Sequence, residues 1–135
     1  MPLLTKFNCF SKDLAEKKHN LATDTLTVAF TSVSPLLTNA VIADITQISY
    51  ANFTSSRNLT ITTSLVNGIY TITASNLNIS VSANSPFFTH LVVYNATTPT
   101  GLLIGYYDLQ ATAYISTSSP FTAAFSQFDP FLIIN

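Results

Sequence analysis

From Thr25 the chain alternates with a period of two. In "TLTVAFT", Leu26, Val28 and Phe30 fall on one side and Thr25, Thr27, Ala29 and Thr31 on the other, the pattern of a strand with one buried face. Short runs of the same kind recur as "LTITTSLV", "IYTITA", "LNISVS", "FFTHLVVY", "LLIGYYDL", "TAYIS", "FTAAFSQF" and "FLIIN". Turn material separates them: Asn67-Gly68, Ser75-Asn76, Ala83 to Pro86 and Ser118 to Pro120. Asn67-Gly68 between two alternating runs is a strong hairpin signal. The stretch "TNAVIADITQISYANFTSSRN" is less regular and is expected to form a long connection over one end.

This pattern predicts an all-β fold, an antiparallel β-sandwich or barrel of about seven to nine strands, with a short helix in an N-terminal arm. The helix is expected in "SKDLAEKKHN". Ser11 is the candidate N-cap, Asp13 and Glu16 come early, Lys17, Lys18 and His19 late, and Asn20 closes the turn. A helix that short needs a neighbour on which to dock Leu14 and Phe10. In "VVYNATTPTGLLIGYYD" two apolar runs flank the segment Asn95 to Gly101, which predicts a long-looped hairpin at the centre of the sheet.

Charge divides the chain. Lys6, Lys12, Asp13, Glu16, Lys17, Lys18 and Asp24 precede residue 25, and only Asp44, Arg57, Asp108 and Asp129 follow. Residues 1–24 therefore read as an arm and residues 25–135 as a single antiparallel β domain. Charged residues make up only 8% of the sequence, whereas 47% is hydrophobic and 12% aromatic. Ser, Thr and Asn supply roughly a third of the residues, which predicts a neutral, hydroxyl-rich surface. A net charge of −1 offers no basic field for phosphates, so nucleic acid is not an expected partner.

Candidate chemistry is sparse. Cys9 is the one cysteine, which leaves no internal disulfide or thiolate metal site and reads as a packing residue. No apolar run approaches the ~18 residues of a membrane span, and the N-terminus lacks the pattern of a signal peptide. The four Asn-x-Ser/Thr triplets, beginning at Asn52, Asn58, Asn78 and Asn95, carry little information in a chain so rich in Ser and Thr. His90 falls on the same strand face as Phe88, Val92 and Tyr94, where a hydrogen-bonded structural role is expected. With no nucleophile–base pattern, paired carboxylates or Gly-rich phosphate loop, the expectation is a protein that is not an enzyme and binds no cofactor or metal. Tyr94, Tyr106 and Tyr107 are the possible ligand aromatics, although Tyr106 and Tyr107, being adjacent, point to opposite faces. The apolar ends, "MPLLTKFNCF" and "FSQFDPFLIIN", suggest burial in an assembly.

The string "KFNCFSKDLAEKKHNLATDTLTVAFT", followed by "NAVIADITQI" and "LVVYNATTPTGLLIGYYDL", resembles a family of small tailed-bacteriophage virion proteins. Its members share a KFN-type start, an Asp-Leu-Ala-Glu helix, a His-Asn-Leu turn and a first strand of Asp-x-Leu-x-Val form. The likeness spans most of the chain. It departs at Ile104-Gly105-Tyr106-Tyr107-Asp108, where the family pattern is Trp-rich, and at "FTAAFSQF", which lacks acidic residues.

The resemblance implies a capsid cement, or decoration, protein. It would be assembled in the host cytoplasm, sit on the outer capsid surface of the virion, and stabilise the shell by bridging major capsid protein subunits. Shell symmetry makes a homotrimer the first expectation for self-association and a dimer the second. The arm is expected to reach the capsid through Lys6, Phe7, Phe10 and Lys12, with the β domain folding independently of it. Phe131 and Ile133 at the C-terminus form the competing anchor. Two other readings remain: a tail or fibre component, and a carbohydrate-binding module using the tyrosines.

Overall fold

The computed structural model describes residues 4–125 and 132–134. Its elements in chain order are β1 (Thr5–Lys6), α1 (Cys9–Ala15), β2 (Leu26–Thr31), β3 (Ile61–Val66), β4 (Ile69–Ala74), β5 (Leu77–Ile79), β6 (Phe88–Asn95), β7 (Leu102–Ala113), β8 (Phe121–Ala123) and β9 (Leu132–Ile134). The fold is all-β, with antiparallel pairing throughout and one short helix. Sheet orders are β1-β7-β6-β2, β3-β4-β9 and β5-β8. The hairpin β6–β7 lies at the centre of the four-stranded sheet, as expected.

The main core lies between that sheet and the two smaller ones. Leu26, Val28, Phe30, Leu91, Val93, Ile104 and Tyr107 come from the large sheet; Ile72, Leu77, Ile79, Ala123 and Leu132 come from the facing layer. Phe30 sits among the rings of Tyr50, Phe53, Phe88 and Phe121, all edge-on at 4.9–6.4 Å between centroids. Such edge-to-face contacts add to the burial of the rings themselves.

The opposite face of the large sheet is also apolar. Ala29, Val92 and Leu103 are covered there by Phe7 and Ile45, with Cys9, Ile42, Tyr94 and Tyr106 packed around them. β2 is accordingly buried on both faces, which corrects the expectation of one. Its threonines tolerate this because their hydroxyls find partners: Thr27 Oγ1 donates to Asn58 Oδ1 at 2.7 Å, and Thr31 Oγ1 to the Thr46 carbonyl at 2.6 Å.

The irregular segment after β2 first meets the start of β7, where Ile42 N–H donates to the Gly101 carbonyl and Leu103 N–H to the Ala40 carbonyl, and from Gln47 on it runs along the outer edge of β2. Val28 N–H donates to the Arg57 carbonyl, Ile48 N–H to the Phe30 carbonyl, and Leu59 N–H to the Leu26 carbonyl. Arg57 closes the seam by donating to the Val28 carbonyl at 2.7 Å while its guanidinium lies 3.7 Å from the Tyr50 ring centre. "TAYIS" forms no strand of its own; its first residues complete β7.

The bulges in β6–β7 redirect side chains. The register breaks between Phe88 and His90 and again between Val93 and Tyr94. Phe88 therefore packs in the main core with Leu91 and Val93, on the face opposite Val92, and not beside His90 as simple alternation implies.

The arm is part of the same body. β1 pairs with β7, Phe7 N–H donates to the Ile104 carbonyl, and Phe7, Phe10 and Leu21 are buried. The boundary at residue 24 is a boundary of charge and not of packing. α1 begins after Asn8 and ends earlier than expected. Lys17, at φ 64°, takes the left-handed position after the helix, with Lys18 N–H reaching the Asp13 carbonyl and Lys17 N–H the Leu14 carbonyl.

β1 can approach β7 because residue 105 is glycine. A Cβ there would lie 2.7 Å from Leu4 Cγ and 2.8 Å from the Thr5 carbonyl oxygen, and the backbone oxygen has nowhere to yield. Gly105→Ala should therefore destabilise the fold by about 1–3 kcal/mol, the usual cost of overpacking. Thermal unfolding followed by circular dichroism checks this; an unchanged midpoint would show that β1 is not held against β7.

Candidate interaction surface

The residues expected to contact a partner divide into buried and exposed sets. Phe7 lies under the large sheet, its ring 5.3 Å from that of Tyr106. Phe10 is in the main core, 5.5 Å from the His19 ring. Both are 2% exposed, so neither can be a contact in the folded chain, and this corrects their assignment. Phe131 lies outside the described residues.

Lys6, Lys12 and Ile133 are exposed. The structure brings Lys6 and Ile133 together from opposite ends of the chain: Lys6 Nζ donates to the Ile133 carbonyl at 3.0 Å. Lys12 stands apart on α1, 3.4 Å from Glu16.

The tyrosines form no common shelf. Tyr94 and Tyr106 share one face of the large sheet and are half-buried around its second core. Tyr107 is on the other face, fully buried against Phe125 at 5.6 Å. Burial pushes its hydroxyl's pKa well up, and that hydroxyl has no hydrogen-bond partner among the described residues. The cluster that "YNATTPTGLLIGYYD" suggests is therefore mostly packing.

Two grooves flank α1 and share Leu14 and Ile134. One, of about 480 Å³, is bounded by Leu14, His19, Leu21, Tyr70 and Ile134. The other, of about 390 Å³, runs past Lys6, Leu14, Ala15 and Ile133. Lys17 lines the first and Lys6 the second. Lys12 and Lys18 are exposed nearby, paired with Glu16 at 3.4 and 3.5 Å, and Lys18 also lies 3.8 Å from Asp13.

Elsewhere the charges have structural partners. Asp44 accepts from the Ala40 and Val41 amides, which hold its carboxyl below the usual range. Asp108 accepts from Gln110 N–H and faces His90 Nε2 at 3.7 Å. His90 is hydrogen-bonded through Nδ1 to Thr89 Oγ1 at 2.8 Å. Cys9 is half-buried, its Sγ 3.8 Å from the carbonyls of Asn39, Ala40 and Leu103. Burial and Asp13 raise its thiol pKa, the reverse of what a nucleophile needs.

Sequence reasoning passed over one buried polar network beneath this surface. Asn95 Nδ2 donates to Asp24 Oδ2 at 2.7 Å and to His19 Nδ1 at 3.0 Å. Asp24 also accepts from Asn20 N–H at 2.8 Å. With Nδ1 accepting, His19 carries its proton on Nε2, which is buried and unpartnered among the described residues. The network ties the loop after α1 to the end of β6. Nothing in the sequence marks it, because the partners are 71 and 76 positions apart.

No group of three or more His, Cys, Asp or Glu side chains among the described residues is placed to hold a metal, and no described helix is long and apolar enough to cross a membrane. Comparison with protein-family models, with curated proteins and with solved structures gives no match.

Burial lowers the pKa of His19 from 6.5, against the opposing pull of Asp13 and Asp24. The unfolded chain then binds a proton that the folded chain resists, so stability falls as pH drops below the ordinary value and levels off once the folded histidine titrates. The thermal midpoint should fall between about pH 7 and about pH 5, and His19→Gln, which keeps an acceptor for Asn95, should reduce that fall. Equal slopes in the two proteins would contradict the assignment.

Proposed function

We propose that this chain is a capsid cement protein that binds the outer surface of a phage shell and stabilises it by bridging major capsid protein subunits. The reading rests on the resemblance of the arm, the segment from Asn39 to Ile48 and the central hairpin to tailed-phage virion proteins. The observation that carries it to a surface is the concentration of exposed lysines around α1. Lys17 lines one of the apolar grooves beside α1 and Lys6 the other, and Lys12 and Lys18 stand exposed nearby with Glu16 between them, on a body poor in charge. An acidic segment with an apolar anchor on the capsid protein would fit there, with burial providing affinity and the lysines providing orientation.

In this role the protein is a binding component of the virion and carries out no reaction. The contact is made by the lysines and the grooves, and the buried Phe10 supports the second groove from beneath. A tail or fibre component is the competing reading, and the two differ in copy number and location.

The chain should be present at hundreds of copies on purified heads from which tails have been removed, quantified against the major capsid protein. Lys12→Glu combined with Lys18→Glu should lower retention on those heads at moderate salt while the variant stays folded. A few copies that leave with the tails would overturn the cement assignment. Full retention of the double variant would move the contact away from α1.

A further inference from the structure

β3 is an outer strand of its sheet, and its free edge has none of the usual protections. It is six residues long, pairs with β4 without a bulge, and contains no proline and no charge. Exposed edges of this kind normally carry a lysine, a proline or a bulge to prevent pairing with another chain. At its end Leu65 and Val66 are 68% and 61% exposed, and Ile69, opposite Val66, is 42% exposed.

The phase of the ladder determines which backbone groups are open. Ser75 N–H donates to the Thr60 carbonyl, so even-numbered residues of this strand direct their N–H and C=O toward β4. Ile61, Thr63 and Leu65 direct theirs outward, where no described residue receives them. Their side chains share the sheet face of Ala74, Ile72 and Tyr70, their cross-strand partners.

We propose that this edge pairs with the same edge of a second copy, antiparallel about a two-fold axis at Thr63, to give a homodimer with one continuous sheet. Two observations select a second copy as the occupant. The first is self-complementarity. A two-fold at Thr63 puts Thr63 opposite Thr63 and Leu65 opposite Ile61, so the three residues with open backbone groups meet in register and each pair exchanges both N–H···O bonds. On the other face Thr62 meets Ser64. Apolar meets apolar and hydroxyl meets hydroxyl. No charged residue occurs between Arg57 and Asp108, so the like-charge contacts that a two-fold would create on β3 or β4 do not arise.

The second observation is the state of the other outer strands of the two larger sheets. β2 is covered by the segment ending at Leu59. β9 has its Ile133 carbonyl occupied by Lys6 Nζ. β1 is two residues long. None of these offers β3 a complementary edge from which a ring could be built, so the pairing is isologous and closes at two copies. This favours the dimer over the trimer that shell symmetry suggests, and it does not depend on the capsid assignment.

The test is the solution mass of the full chain by sedimentation or light scattering, with three variants. The wild type should have twice the mass of the chain. Thr63→Pro removes an outward N–H without touching the bonds to β4, and Leu65→Lys places charge on an exposed position of the strand; both should run at the monomer mass with an unchanged circular dichroism spectrum. Thr63→Cys should form an intermolecular disulfide on mild oxidation, since Cα atoms of a hydrogen-bonded antiparallel pair lie about 5.5 Å apart, within disulfide range. The wild type, whose only cysteine is Cys9, should not. A monomeric or trimeric wild type, or a dimer that persists in folded Thr63→Pro and Leu65→Lys, overturns the proposal. If those two variants do not fold, the Thr63→Cys cross-link decides: its absence overturns the dimer and its presence supports it.

Discussion

The structure depends on one sheet that is apolar on both faces. A four-stranded antiparallel sheet with Val93 and Tyr107 on one side and Val92 and Leu103 on the other cannot leave either side to water. The smaller sheets cover the first side. The second is covered by non-repetitive chain: Phe7 before α1, and Ile42 and Ile45 from the long connection. This need for a second cover explains why the N-terminal segment is built into the fold, why β2 is buried throughout, and why so long a connection follows it.

A chain with few charges uses most of those outside α1 structurally. Arg57 seals the edge of β2, Asp44 caps the turn at Ile42, Asp24 anchors Asn95, and Asp108 holds the irregular end of the β6–β7 ladder. The surface is therefore differentiated by where exposed charge is left. It remains at α1, where we place the capsid contact, and it is missing from β3, where we place self-association. One surface would suit an acidic partner with an apolar anchor; the other would suit an identical strand.

Much of this architecture is legible in the sequence. Period-two runs locate all the strands of three residues or more, Asn67-Gly68 marks a hairpin whose two turn residues have positive φ of 53° and 78°, and the run from Val92 to Asp108 marks the central one. What is not legible comes from contacts between distant positions. The charge break at residue 24 looks like a domain boundary because composition reports solvation, while Phe7 is placed by a sheet face that includes Val92 and Leu103 and Phe10 by the main core on the other side. The β6–β7 bulges move Phe88 to the opposite face, which alternation alone does not register. The His19–Asn95–Asp24 network leaves no local signal, and of the contact residues expected on the surface, Lys6, Lys12 and Ile133 are the ones found exposed.

The integration of the N-terminal segment is the central claim, and the fragment 25–135 tests it directly. Removing residues 1–24 exposes the faces buried by Phe7, Phe10 and Leu21, each worth about 1.5–3 kcal/mol, against a total stability of about 5–15 kcal/mol for a domain of this kind. The account predicts a fragment with no cooperative unfolding transition in denaturant, next to a full chain that unfolds in one step. A fragment that unfolds cooperatively, with a midpoint close to that of the full chain, would show that the β domain stands without its arm and would contradict the account.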